Sequence, residues 1–282
     1  MIAWIGTGLL GSGFVRALRR RGEEVNVWNR TAGKARPLEK DGAKLHEDPA
    51  AAVRGAERVH LALSDDAAVD ELLERLRPGL AAGTILVDHT TTSMHGAAAR
   101  VKRWTERGFP FQHAPVFMGP QQALDGTGLM LASGDRAIFD RLSPELAKMT
   151  GKLSYLGPDP SRAAAFKLMG NCFLMLMTSG ITELLGLAKA MGVPAEEAAT
   201  IFDLFNPATT LGQRAKRIVA ADFAHPSWEL AMARKDARLM MDEAARAGRE
   251  LAVLPGLAAE MDRWIAKGHA SDDWTVIAKD AL

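Results

Sequence analysis

Short apolar runs alternate with stretches of helical spacing through the first half of the chain. The runs at residues 2–5, 24–28, 59–63, 85–88 and 129–132 have strand length. Between them, apolar positions recur with helical spacing near residues 10–21, 67–76, 93–107 and 136–149. This alternation predicts a mostly parallel sheet covered by helices and joined by right-handed connections.

The pattern changes after Gly157. Pro158-Asp159-Pro160 punctuates the chain, and a helical pattern then runs from Ser161 to Met191, tolerating Gly170, Gly180 and Gly186. At helical rise it would reach about 45 Å. Gly192-Val193-Pro194 stops it, and no strand run follows. The expected organisation is an α/β domain over residues 1–160 and an all-α domain over residues 161–282, with a long helix at the junction.

Composition narrows this further. The chain has 282 residues, 48% hydrophobic and 24% charged, enough for two ordinary globular domains. Net charge is +1, so nucleic acid and anionic membrane are not expected partners. Arg19-Arg20-Arg21 is too short a basic run for either and reads as a solvated helix end. Cys172, the one cysteine, forms no internal disulfide and reads as a buried small hydrophobe. Met169, Met175 and Met177 read as core filler. Met1-Ile2-Ala3-Trp4-Ile5 lacks the features of a signal peptide. The apolar stretch 168–181 is broken by glycines and an asparagine and reads as too short and too polar to cross a bilayer. A cytoplasmic location is expected by elimination. His89, His95 and His113 have no metal-ligand spacing, and no metal is expected.

Gly6-Thr7-Gly8-Leu9-Leu10-Gly11 fits G-x-G-x-x-G. It follows a strand and opens an amphipathic helix, the context such a phosphate-binding turn requires. Gly6 makes the turn, Gly8 lets backbone approach a pyrophosphate, and Gly11 lets helix and strand pack closely. Helix N–H groups and the helix dipole hold the anion. After the second strand an NAD-preferring site would carry a carboxylate for the ribose hydroxyl. This chain has Asn29-Arg30-Thr31, with Lys34 one turn on, groups suited to the 2′-phosphate of NADP.

In this order the motifs resemble the β-hydroxyacid dehydrogenase family, which includes 3-hydroxyisobutyrate dehydrogenase, tartronate semialdehyde reductase and the glyoxylate/succinic semialdehyde reductases. The resemblance runs nearly end to end. It implies a Rossmann-type first domain followed by a helical substrate and oligomerisation domain like that of 6-phosphogluconate dehydrogenase. Val27-Trp28-Asn29-Arg30-Thr31 is similar to the NADP-using branch. Leu63-Ser64-Asp65-Asp66-Ala67-Ala68-Val69 resembles the segment that runs along the cofactor. Asp88-His89-Thr90-Thr91 resembles the family's D-x-S-T stretch, which implies that Thr91 lies near nicotinamide and substrate. Lys167-Leu168-Met169-Gly170-Asn171 resembles the catalytic K-x-x-x-N, implying catalytic roles for Lys167 and Asn171. The i,i+4 spacing independently puts both residues on one helix face. Lys235-Asp236 resembles the C-terminal K-D motif, whose lysine the resemblance assigns to the cofactor side of the cleft.

The chain departs from the family in the substrate loop. Where D-A-P-V-S-G-G is usual it has His113-Ala114-Pro115-Val116-Phe117-Met118-Gly119. Phe117 and Met118 are expected to line the pocket, with the Gly119 N–H as an anion donor. The added bulk argues against small carboxylates such as glyoxylate. The leading expectation is an NADP-dependent oxidoreductase acting on a semialdehyde or related carbonyl compound, or the matching hydroxy acid. Imine reductases of the same architecture and a non-catalytic NADP-binding interaction module stay open as alternatives. A homodimer or homotetramer is expected, because the long helix carries more apolar surface than one small domain covers.

Overall fold

A computed structural model describes residues 1–282 as two compact units, Met1–Cys172 and Phe173–Leu282. The first unit holds nine strands. They are β1 (Ile2–Ile5), β2 (Val25–Trp28), β3 (Lys44–Leu45), β4 (Arg58–Leu61), β5 (Ile85–Asp88), β6 (Phe111–His113), β7 (Val116–Phe117), β8 (Leu129–Ala132) and β9 (Lys152–Tyr155). Its helices are α1 (Leu9–Arg20), α2 (Ala32–Ala35), α3 (Pro49–Val53), α4 (Asp66–Leu76), α5 (Met94–Glu106), α6 (Pro120–Asp125) and α7 (Arg136–Leu146). Four short strands, β3, β6, β7 and β9, go beyond the five expected.

Strands β1 to β6 form one all-parallel sheet in the order β3-β2-β1-β4-β5-β6. The order reverses at β1, and the crevice of such a sheet opens at the carboxyl ends of its strands there. Both faces are buried, so inward positions alternate between two cores. Ile2, Trp4, Val25, Val27, Ile85 and Val87 face one core, under Phe14, Val15 and Leu18 of α1. Ala3, Ile5, Val59, Leu61 and Leu86 face the other, under Val69, Leu72, Leu73 and Leu76 of α4. A second sheet, β7-β8-β9, pairs β7 antiparallel and β9 parallel to β8.

Helix α8 (Arg162–Ala190) begins in the first unit, where Ala163 and Ala164 are buried and the Ala163 N–H donates to Ser133 Oγ at 2.9 Å. The division between the compact units falls inside this helix, after Cys172. The rest of the second unit is α9 (Ala195–Ala199), α10 (Ile201–Leu204), α11 (Leu211–Val219), α12 (Leu230–Arg246) and α13 (Leu254–Ala266). Its core gathers Phe223, Leu230, Ala233, Ala237, Ala258, Met261, Trp264 and Val276. Glu183 of α8 accepts from the Ala252, Val253 and Leu254 N–H groups at 2.8, 3.2 and 3.1 Å, capping the start of α13. Burial works to raise the Glu183 carboxyl, but these bonds overcome it and hold it below the usual range.

Three expectations about α8 are corrected. Cys172 is exposed, not buried. Met169, Met175 and Met177 are exposed as well, at 58%, 68% and 46%. The helix is apolar all round, so its composition did not reveal which face is covered. It also runs unbroken through Gly170 and Gly180 for 29 residues, with a mean hydropathy of 1.4 over its most apolar stretch. By length and composition alone it is long and apolar enough to cross a membrane, so the expected argument from shortness does not hold.

Candidate dinucleotide and reaction site

The glycine turn joins β1 to α1 at the point where the strand order reverses. A Cβ on Gly6, whose φ is +95°, would stand 2.2 Å from the Ala62 carbonyl oxygen. One on Gly11 would stand 2.1 Å from the Gly6 carbonyl oxygen. Both residues are glycine because the turn and the helix lie too close to neighbouring backbone for a side chain. A Cβ on Gly8 would meet nothing within 4 Å, so this glycine leaves open space in front of the helix. Thr7 is buried and its Oγ1 has no partner. An open cradle at Gly8 with an orphaned hydroxyl beside it fits a phosphate-bearing ligand.

A cavity of 310 Å³ opens beside this turn, lined in part by Gly6, Gly8, Asn29, Arg30, Thr31, Lys34, Leu63 and Ser64. Eight expected cofactor residues thus share one space. Arg30 and Lys34 are exposed cations at the end of β2 and the start of α2. Asn29 acts differently from expectation. Its Oδ1 accepts from the Thr7 N–H at 3.0 Å and its Nδ2 donates to the Thr31 carbonyl at 2.9 Å. Both ends of the amide are engaged within the protein, tying the glycine turn to the end of β2. Leu9, Leu10, Gly11 and Thr91 do not line this cavity. Leu9 is 82% exposed at the start of α1, and Leu10 packs on the first core. Lys235 belongs to the second unit, where its ammonium pairs with Asp236 at 2.8 Å.

Glu71, Leu72 and Arg75 of the opposite wall lie outside the motifs read from the sequence. Ala68, Glu71, Leu72 and Arg75 of α4 line the cavity, with Trp28 at the end of β2. The Arg75 guanidinium lies 5.2 Å from the Trp28 ring centroid, a cation–π contact, and pairs with Glu71 at 3.8 Å. The signal was present, since positions 68, 71, 72 and 75 share one helix face.

A stacked aromatic layer lies beneath the turn. Trp4, His60 and His89 stack with ring centroids 5.0 to 5.5 Å apart. His89 Nδ1 lies 2.7 Å from the Ala114 carbonyl, which can only accept, so Nδ1 carries the proton. His89 Nε2 is then the acceptor for His60 Nδ1–H at 2.9 Å. Burial pushes His60 well down, with His89 adding to the effect. It pushes His89 down to about 4, against the Ala114 bond and the Asp88 charge. The pair is neutral and structural, joining β4 to the segment before Pro115.

The residues expected to be catalytic, Lys167 and Asn171, lie in the first turns of α8. Lys167 Nζ donates to Asn171 Oδ1 at 2.8 Å and lies 4.2 Å from the centroid of the Phe117 ring. Burial lowers the Lys167 ammonium from its ordinary 10.5. A Cβ on Gly170 would stand 2.3 Å from Phe117 Cζ, so the ring lies directly against the helix at that glycine. Two other expected substrate residues are otherwise occupied. Met118 packs on the first core. The Gly119 N–H, expected as an anion donor, donates to Gln122 Oε1 at 2.9 Å, because it caps α6. Thr91 is half-buried.

Comparison with known proteins shows the family and the fold. The family model described as the NAD binding domain of 6-phosphogluconate dehydrogenase matches residues 1–157. Cytokine-like nuclear factor N-PAC of Homo sapiens is 31% identical over 84% of this chain, and the chain spans 43% of that relative's length. An uncharacterized oxidoreductase of Shewanella frigidimarina (strain NCIMB 400) is 28% identical over 99% of this chain and 97% of its own. Among solved structures, an imine reductase of Streptomyces aurantiacus superposes with a TM-score of 0.90 at 27% identity, covering 100% of this chain and 99% of its own. An imine reductase of Myxococcus stipitatus in complex with NADP+ does so with a TM-score of 0.92 at 22% identity, covering 99% of both chains, a likeness of fold.

Proposed function

This chain belongs to the 6-phosphogluconate dehydrogenase-like family of NAD(P)-dependent oxidoreductases, with the 3-hydroxyisobutyrate dehydrogenase-like enzymes, and from that premise we propose that it is an NADPH-dependent reductase of a semialdehyde or related carbonyl compound. The observation that carries this reading is Lys167. Its ammonium is half-buried, hydrogen-bonded to a neutral Asn171 and lowered toward the range where it can give and retake a proton. The preference for NADPH rests on Arg30 and Lys34, with no carboxylate at the end of β2.

A dinucleotide held by the Gly6–Gly11 turn, Arg30 and Lys34 would supply the hydride for the carbonyl carbon. Lys167 as ammonium gives its proton to the carbonyl oxygen as negative charge develops there, and in the reverse direction neutral Lys167 takes the proton from the hydroxyl. Asn171 holds the lysine through its Oδ1. Phe117 keeps bulk water from that side of the ammonium. A second copy of the chain, covering the exposed apolar surface of α8 in a dimer or tetramer, belongs to the same proposal.

A second reading is reduction of an imine. Phe117 in place of the family's serine favours it, as does the likeness to the Streptomyces aurantiacus imine reductase. Oxidation of NADPH, followed against a carbonyl panel, an imine panel and buffer alone, tests both readings. Turnover with apolar semialdehydes and little with glyoxylate is expected. Turnover of imines alone would replace the first reading by the second. NADPH binding without any turnover would leave a binding module.

A further inference from the structure

Phe117 stands where the family's substrate loop carries a small hydroxylated residue, yet its ring lies against α8. Two independent contacts hold it there. The ring face is 4.2 Å from Lys167 Nζ, well inside cation–π range. The ring edge occupies the space that any side chain at position 170 would need. We infer that Phe117 is the positioning residue for Lys167: its ring face carries the ammonium, and Gly170 is the notch that lets the ring reach it.

The chemistry follows from the neighbours. Within the first unit the groups against the ammonium are the Phe117 ring and the Asn171 amide oxygen, both uncharged. Burial disfavours the charged form of the lysine. A ring quadrupole favours the charged form without offering a carboxylate that would retain the proton. An ion pair would lock the lysine in its protonated state. A ring face keeps it charged before the reaction and lets it release the proton during it. Phe117 thus sets the upper pH limit of the acid.

This inference rests on Lys167 being the acid of the proposed reaction, but its test requires no turnover. Competitive labelling of Lys167 with acetic anhydride, in the full-length protein without substrate, is read by peptide mass spectrometry from about pH 6 to about pH 11. Phe117→Leu removes the ring face, and the labelling midpoint should fall by about half to one pH unit. Phe117→Tyr keeps the face and should leave the midpoint in place. Gly170→Ala displaces the ring and should reproduce the shift, and the double substitution should add nothing to it. Thermal melting and NADPH fluorescence titration report whether each variant is folded. If Phe117→Leu does not fold, Gly170→Ala carries the test alone. An unchanged or raised midpoint in the folded ring-removing variants, or a tyrosine variant that shifts as far as leucine, overturns the inference. A parent protein without turnover would instead overturn the reading of Lys167 as an acid, whatever the labelling shows.

Discussion

The two units bury their apolar residues very differently. In Met1–Cys172 the six-stranded sheet has a core on each face, and large side chains such as Trp4, Phe14, Leu61 and Trp104 are fully covered. In Phe173–Leu282 a single small core leaves much of α8 in the open, with Met175 68% and Leu176 58% exposed. Parallel strands with helices on both faces close their own core, whereas a long helix that is apolar all round closes only against something else. The sheet of the first unit closes its own core, and the second unit has apolar surface still to cover. A cavity of 530 Å³ lined by Leu184, Leu187, Met191, Ile201, Met240 and Leu257 makes the same point.

The sharpest way to break this division is at Lys167. Lys167→Ala should lower kcat and kcat/KM together by about 10²–10⁴-fold, the range of a positioned acid. NADPH affinity should not change, because Lys167 does not line the cofactor cavity. A variant that turns over within about threefold of the parent would detach the chemistry from this end of α8.

Acid separates the two units next. The unfolded chain protonates His89 below its ordinary 6.5, while the folded chain refuses the proton until about 4. The unfolded state therefore binds more protons, and stability falls as pH drops through that window, by on the order of 3 kcal/mol for this group at its lower end. In the second unit burial works to raise Asp273, but bonds from Thr275 and Ser227 hold it down at about 2 against an ordinary 3.8. Its contribution is complete above 3.8 and is lost only as pH falls toward 2. Hydrogen exchange at about pH 4.5 should show the sheet of the first unit losing protection before α12 and α13. Equal loss in both units would remove the histidine pair as the cause.

Cofactor choice tests the first unit alone. Arg30→Ala should weaken NADPH by about 1.5–3 kcal/mol, roughly 10- to 150-fold in KM, with little change for NADH. Equal efficiency of the parent with both cofactors would end the argument from this arginine. The smallest effect should come from the exposed surface of α8. Met175→Glu should weaken self-association by about 1–2 kcal/mol, seen in sedimentation as a shift toward the 30.4 kDa chain mass at micromolar concentration. A parent that is already monomeric there would show that another occupant covers the helix.

Sequence alone reached the sheet because it rests on a strong periodicity, whereas the K-x-x-x-N pair came from the family resemblance, with which the i,i+4 spacing agrees. It missed β6 because Phe111-Gln112-His113 puts polar residues in a buried strand. Gln112 is accommodated there by donating to the Ser133 and His113 carbonyls, a tertiary bond that no local pattern announces. Glu71, Leu72 and Arg75 of α4 share a helix face with Ala68, so the i,i+3 and i,i+4 spacing carried that wall. Cys172 and the α8 methionines differ from expectation because an apolar composition does not say which face of a helix is covered. The roles given to Asn29, Met118 and Gly119 could not be read locally, since each depends on where a neighbouring backbone or core sits.

Phe117 and Gly170 also constrain how such a site can change over generations. A phenylalanine arriving opposite a residue with a side chain at 170 has no room against the helix, whereas a glycine arriving first is tolerated. The permissive change must precede the functional one. Once both are present, reverting the glycine evicts the ring.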